Sequence, residues 1–164
     1  MRKIFASLIF CIASLTTHAA FAGPKVEFKT TLGNFVVELD SDKAPKTTAN
    51  FLNYVKSGFY NGTIFHRVID GFMKNNMYTI AMARTSDPDS ATAQFFINVK
   101  DNQGLDYPNA MGNGYTVFGK VISGTQTIDA IRKVPTMVAS APRMGRMADV
   151  PAKTVTIESA TILK

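Results

Sequence analysis

The sequence predicts a mainly β fold, a barrel of strands closed by helices. Three observations carry it. Most of the chain consists of strand-length segments bounded by turn residues. Two segments alone have helical spacing, one after the second strand and one before the last. Residues 1–22 read as an address rather than as fold.

The leader comes first. Arg2 and Lys3 form a positive start, Ile4 to Leu15 is apolar, and Thr16 to Ala22 is a small-residue stretch ending Ala20-Phe21-Ala22. This pattern predicts a signal peptide cleaved before Gly23. The apolar run is too short to span a bilayer, and no stop-transfer segment follows it. A lipoprotein signal fits less well, because Phe10 rather than a small residue precedes Cys11. The expected mature chain is one domain, residues 23–164, in the periplasm or secreted.

Lys25 to Thr31 alternates, with Val26 and Phe28 on one face, and Asn34 to Asp40 does the same with Phe35, Val37 and Leu39. With Leu32-Gly33-Asn34 as the turn, they predict a β-hairpin. Ala44-Pro45 opens a helix, since a proline in the first turn gives up an N–H that has no intrahelical partner. Thr48, Phe51, Leu52 and Val55 share one face, and Gly58 supplies the stop. Strands are predicted at Thr63 to Ile69, Met77 to Ala83, Gln94 to Val99, Tyr115 to Ile122 and Thr154 to Leu163. A short helix is predicted from about Thr127 to Lys133, with Ile128 and Ile131 inward. Residues 135–152, rich in Pro, Met and Gly, are expected to form a surface loop.

Composition excludes several kinds of chemistry. The full chain carries a net charge of +6, which falls to +4 once Arg2 and Lys3 leave. The basic residues are scattered, with only Arg132-Lys133 adjacent, which argues against a nucleic-acid stripe. The one cysteine, Cys11, lies in the leader, so the mature protein has no disulfide, thiolate metal site or cysteine nucleophile. His66 is the only histidine left, and no G-x-S-x-G supports a triad. Gly112-Asn113-Gly114 makes a poor phosphate cradle, Asn61-Gly62-Thr63 reads as a turn, and the irregular Met137, Met144 and Met147 suit packing or exposure better than copper.

One stretch asks for more. Arg67 stands in the middle of the apolar run Phe65-His66-Arg67-Val68-Ile69, followed by Gly71-Phe72-Met73. Two readings fit: an exposed arginine paired with a carboxylate, or a cation held beside an apolar cleft. Phe72, Met73, Phe96 and Leu105 would line such a cleft, with Gln94 supplying an amide.

Gly58-Phe59-Tyr60, Phe65 to Ile69, Gly71-Phe72-Met73, Ala81-Met82-Ala83, Gln94-Phe95-Phe96-Ile97 and Val117-Phe118-Gly119-Lys120-Val121 occur in this order. Together they resemble the cyclophilins, prolyl cis–trans isomerases, and most of all their periplasmic bacterial branch. The similarity runs from about Val26 to Leu163. It implies a closed eight-stranded antiparallel barrel capped by two helices. It implies that Arg67 is the catalytic arginine, and that Phe72, Met73, Phe96 and Leu105 receive the proline ring. Gln94 would hold the substrate backbone, Ala83 and Thr85 would line the neighbouring groove, and Tyr115 would stand at the rim. His66 matches a position expected to be structural. The family needs no cofactor or metal. The expected partners are proline-containing exported polypeptides, met by a monomer with no nucleic-acid or membrane partner after leader cleavage.

The sequence departs from the family in two places. Only Lys74 to Tyr78 bridges Met73 to Thr79, where relatives have a glutamine, a glycine-rich run and a long loop. A couple of dozen residues are missing, and Asn75 stands where the glutamine would be. Gly104 precedes Leu105, where relatives carry an aromatic. The alternative function is therefore a catalytically weak peptide-binding or chaperone module on the same fold.

Overall fold

The computed structural model describes residues 23–69, 77–99, 114–141 and 145–164. Strand β1 (Lys25–Thr30) and strand β2 (Gly33–Leu39) form the expected hairpin. Their register pairs Thr30 with Gly33, so the turn is Thr31-Leu32, earlier than the sequence suggests. Thr30 supports it by donating its hydroxyl to Gly33 O at 2.7 Å and accepting from Leu32 N at 3.2 Å. Val26, Phe28, Phe35, Val37 and Leu39 are all buried, as strict alternation requires.

Asp40 directs the chain into helix α1 (Pro45–Lys56). Its carbonyl accepts from Ala44 N at 3.0 Å and its carboxylate from Lys43 N, also at 3.0 Å. The Lys43 N–H is the main reason that its carboxyl is held below the ordinary range. Thr48, Phe51 and Val55 form the buried face of α1. The chain leaves through Gly58, at φ 71°.

Strands β3 (Thr79–Met82), β4 (Phe95–Ile97) and β5 (Val117–Ser123) follow. Helix α2 (Thr125–Arg132) starts two residues earlier than its periodicity suggests, with Ile128 and Ile131 buried as expected. Strand β8 (Ile157–Leu163) ends the chain's ordered structure. Six strands make one antiparallel sheet in the order β4-β3-β5-β2-β1-β8.

Three expectations are corrected. Residues 135–152 are not a loop: strand β6 (Thr136–Ala141) and strand β7 (Gly145–Pro151) pair as a separate two-stranded ribbon. Residues 63–69 are not a strand: their ladder is reduced to a single bridge, Ile64 to Thr156. The neighbours His66 and Arg67 are both exposed, which breaks the alternation a strand imposes. Finally, the sheet is a curled half-barrel rather than a closed eight-stranded barrel, because β4 and β8 remain as its edges among the described residues.

The curl follows from one contact. Phe28 on β1 and Phe95 on β4 have ring centroids 5.5 Å apart. Four strand spacings separate β1 from β4, roughly 19 Å in a flat sheet. The sheet must bend around α1 for these rings to meet. Phe51 of α1 fills the bend, 5.0 Å from Phe118, 5.8 Å from Phe95 and 6.2 Å from Phe28. Among the described residues no helix is long and apolar enough to cross a membrane.

Candidate active site

The two edges of the curled sheet face one another across a cavity of about 680 Å³. Phe95, Phe96 and Ile97 of β4 line it on one side and Ile157 of β8 on another. Residues 64–68, on the chain between α1 and β3, also line it, with His66 and Arg67 exposed at its solvent side. That segment is held to the β8 side by Phe65 N donating to Val155 O at 2.9 Å. It is held to the ribbon by Val68 N donating to Asp149 O at 2.8 Å.

Four of the residues singled out in the sequence meet here: Arg67, Ala83, Gln94 and Phe96 all line the cavity. Ala83 and Gln94 are joined through their backbones, Ala83 N to Gln94 O at 2.8 Å, an extension of the β3–β4 pairing. Phe96 is half-buried and takes the Tyr115 ring edge-on at 5.3 Å and 90°. Tyr115 thus backs the cavity wall without lining it. Thr85 is exposed and turned into its own loop, where its hydroxyl donates to Ser90 Oγ at 2.7 Å. Phe72, Met73 and Leu105, and the bridge from Lys74 to Asn76, lie outside the described residues.

Both readings of Arg67 have a counterpart in the structure. Its guanidinium pairs with Asp149, Nη2 to Oδ2 at 3.4 Å, with the two side chains 52% and 38% exposed. It also stands beside an apolar cavity. His66, next to it, is exposed and lines the same cavity. A second guanidinium, Arg132 of α2, is on the wall too, where its Nε donates to Asp129 Oδ1 at 2.8 Å. Tyr78 donates to the other oxygen of that carboxylate at 3.1 Å. Burial, then this bond, pushes the Tyr78 hydroxyl pKa up.

Sequence reasoning missed two participants. Arg84, outside the cavity's lining, braces the chain beside Tyr115: its Nε and Nη2 donate to Gly114 O at 3.0 and 2.6 Å, and its Nη1 donates to Thr85 O at 2.7 Å. Its guanidinium lies 5.0 Å from the Tyr115 ring centroid, a cation–π contact. Arg84 follows Ala81-Met82-Ala83 directly, so its place in that block was the available signal. Asp149 lies 82 residues from Arg67 within the segment read as a loop, and nothing local in the sequence pairs them.

The comparisons with known proteins bear on what this arrangement does. The profile of the cyclophilin type peptidyl-prolyl cis-trans isomerase/CLD family matches residues 25–75 and 73–162. The two pieces meet at the shortened bridge. Peptidyl-prolyl cis-trans isomerase A of Dickeya dadantii is 40% identical over 195 aligned positions, covering 100% of both chains. Since this chain has 164 residues, at least 31 of those positions are gaps in it. Peptidyl-prolyl cis-trans isomerase B of Escherichia coli is 43% identical, over 84% of this chain and 98% of its own. Two crystal structures of a cyclophilin type isomerase from Cryptosporidium parvum match with TM-scores of 0.71 and 0.70, the second in the presence of the dipeptide Ala-Pro. They cover 86% and 85% of this chain and 98% and 99% of theirs, and at 22% and 23% identity they speak for the fold.

Proposed function

This chain belongs to the cyclophilin-type peptidyl-prolyl cis–trans isomerase family, and on that premise we propose which of its residues isomerise Xaa-Pro bonds and where it works. The protein is a peptidyl-prolyl cis–trans isomerase. The observation that supports Arg67 as the catalytic residue is its position at the mouth of the apolar cavity, together with Ala83, Gln94 and Phe96.

Rotation about a peptide bond faces a barrier of about 18–20 kcal/mol, because resonance gives the C–N bond double-bond character. Before proline the two isomers are close in energy but exchange in tens to hundreds of seconds. The catalyst must favour the twisted amide, whose nitrogen has regained its lone pair. Arg67 donates a hydrogen bond to that nitrogen and gains little from the planar amide, so its binding is differential. A charge-assisted bond contributes about 1.5–3 kcal/mol, roughly ten- to a hundredfold in rate. Phe96, with Phe72, Met73 and Leu105, holds the ring while the preceding carbonyl turns, and Gln94 holds the backbone. Ala83 borders the groove, whereas Thr85, turned into its own loop, and Tyr115, behind Phe96, stand outside its lining. Water is kept from the amide by the same apolar wall. Arginine's charge is constant at any working pH, and no proton is transferred.

The clients are exported polypeptides folding outside the cytoplasm, served by a monomer. The leader pattern over residues 1–22 supports the location. Intact-mass analysis of envelope protein should find a chain starting at Gly23, and a mass retaining Met1 would refute export by cleavage.

The deciding measurement for the mechanism is exchange NMR on a short proline peptide. Arg67→Ala should lower kcat/KM at least tenfold, with folding unchanged by circular dichroism. Arg67→Lys should recover only part, since a point charge cannot reproduce the planar fork. Wild-type exchange in a folded Arg67→Ala variant would remove Arg67 from the mechanism.

A further inference from the structure

We propose that Asp149 is a positioning residue for Arg67: from the ribbon, it holds the guanidinium at the cavity mouth in the orientation that isomerisation uses. The proposal rests on the reading of Arg67 as catalytic and adds a residue outside the family blocks noted in the sequence.

Asp149 meets the Arg67 segment at two points. Its carbonyl accepts from the Val68 amide at 2.8 Å, next to Arg67, and its carboxylate accepts from Arg67 Nη2 at 3.4 Å. Val68 is buried, so the first contact fixes the segment while the second aims the side chain. No other partner of the Arg67 side chain is found among the described residues. An exposed arginine with no restraint samples many rotamers, and ordering it during the reaction has an entropic cost. A carboxylate that occupies one nitrogen orders the side chain beforehand and leaves the rest of the N–H fork for substrate.

The backbone argues that the charge is used. Asp149 sits at φ 63°, one of two non-glycine residues with positive φ among those described. Glycine or asparagine satisfies this conformation as well as aspartate does. The Val68 bond uses a main-chain carbonyl that any residue supplies. What aspartate alone brings to this position is a negative charge beside Arg67.

Asp149→Asn separates these contributions, because asparagine tolerates the same φ and keeps the carbonyl. The exchange NMR assay is run on wild type, Asp149→Asn, Arg67→Ala and the double variant. Asp149→Asn should lower kcat/KM roughly two- to fivefold at low ionic strength, as an exposed ion pair allows. The Val68 amide should keep its hydrogen-exchange protection. At about 1 M salt, where the screening length is about 3 Å, the difference from wild type should close. On the Arg67→Ala background the substitution should change nothing. Wild-type turnover in Asp149→Asn at low salt, with Arg67→Ala impaired, would overturn the proposal alone. So would an equal loss on both backgrounds, which would mean that Asp149 acts through the fold. Full activity in Arg67→Ala would overturn the catalytic reading and this proposal together.

Discussion

Tyr60 joins the core to the loop that carries Gln94. Its ring touches Phe28, Phe51 and Phe95, and its hydroxyl donates to Ala93 O at 2.8 Å, one residue before Gln94. Burial, with a smaller contribution from Tyr54, pushes its pKa well above the ordinary tyrosine value. The consequence for stability has a definite sign. An unfolded tyrosine loses its proton near pH 10, while the folded one keeps it. The stabilisation is therefore complete below about pH 10 and is lost as pH rises through the folded value. Melting curves should show Tm falling above about pH 10, and Tyr60→Phe should make that fall shallower. Because Tyr78 is shifted the same way, the fall should not vanish. At neutral pH Tyr60→Phe should cost about 1 kcal/mol, the net worth of one hydrogen bond. An alkaline limb identical in Tyr60→Phe and wild type would show that this hydroxyl is not what titrates.

At the scale of elements, legibility followed burial. The hairpin and α1 are legible nearly to their ends because each buries one face: Val26, Phe28, Phe35 and Val37 alternate, and Thr48, Phe51 and Val55 recur with helical spacing. The β6–β7 ribbon is not legible as strand, for the opposite reason. Met137 and Val138 are consecutive and each is 51% exposed, so the ribbon has no apolar face to betray it. Residues 63–69 misled in the other direction, since Ile64, Phe65, Val68 and Ile69 look like a strand but bend to follow two different neighbours. The cavity wall was legible only in part: a local block marks Arg67, Gln94 and Phe96, whereas Asp149 reaches Arg67 through tertiary packing. The start of α2 carries a prediction of its own. Gly124 sits at φ 78°, and a Cβ there would run into Asn34 O and the Phe35 backbone. Gly124→Ala combines a left-handed backbone cost of about 1–2 kcal/mol with that collision. It should lower stability by roughly 2–4 kcal/mol in urea denaturation, at constant m-value. A loss under about 0.5 kcal/mol would mean that α2 can lift off β2 freely.

For the whole molecule, the unclosed sheet is what creates the site. Phe96 comes from one sheet edge, and Arg67 from a segment tied beside the other, so the cavity they share is the seam between edges. The width of that seam depends on how tightly the sheet curls, and the curl depends on the aromatic cluster around Phe51. Phe51 is fully buried and touches none of the cavity's lining except Phe95 and Tyr60 among its ring partners. Phe51→Ala should cost about 3–5 kcal/mol, the usual range for deleting a core phenylalanine. For a domain of this size that is a Tm drop of roughly 10–20 °C. Exposed Val138 offers the contrast, since Val138→Ala should stay within about 0.5 kcal/mol. If curl sets the seam, Phe51→Ala should also raise KM for a proline peptide at temperatures where the variant is still fully folded, because β4 and its Phe96 can drift from Arg67. The test pairs a thermal melt with kcat and KM measured well below the variant's Tm. Lower Tm with unchanged KM would mean that the aromatic cluster stabilises the domain without setting the site, and that the seam is held by the segment's own bonds to Val155 and Asp149.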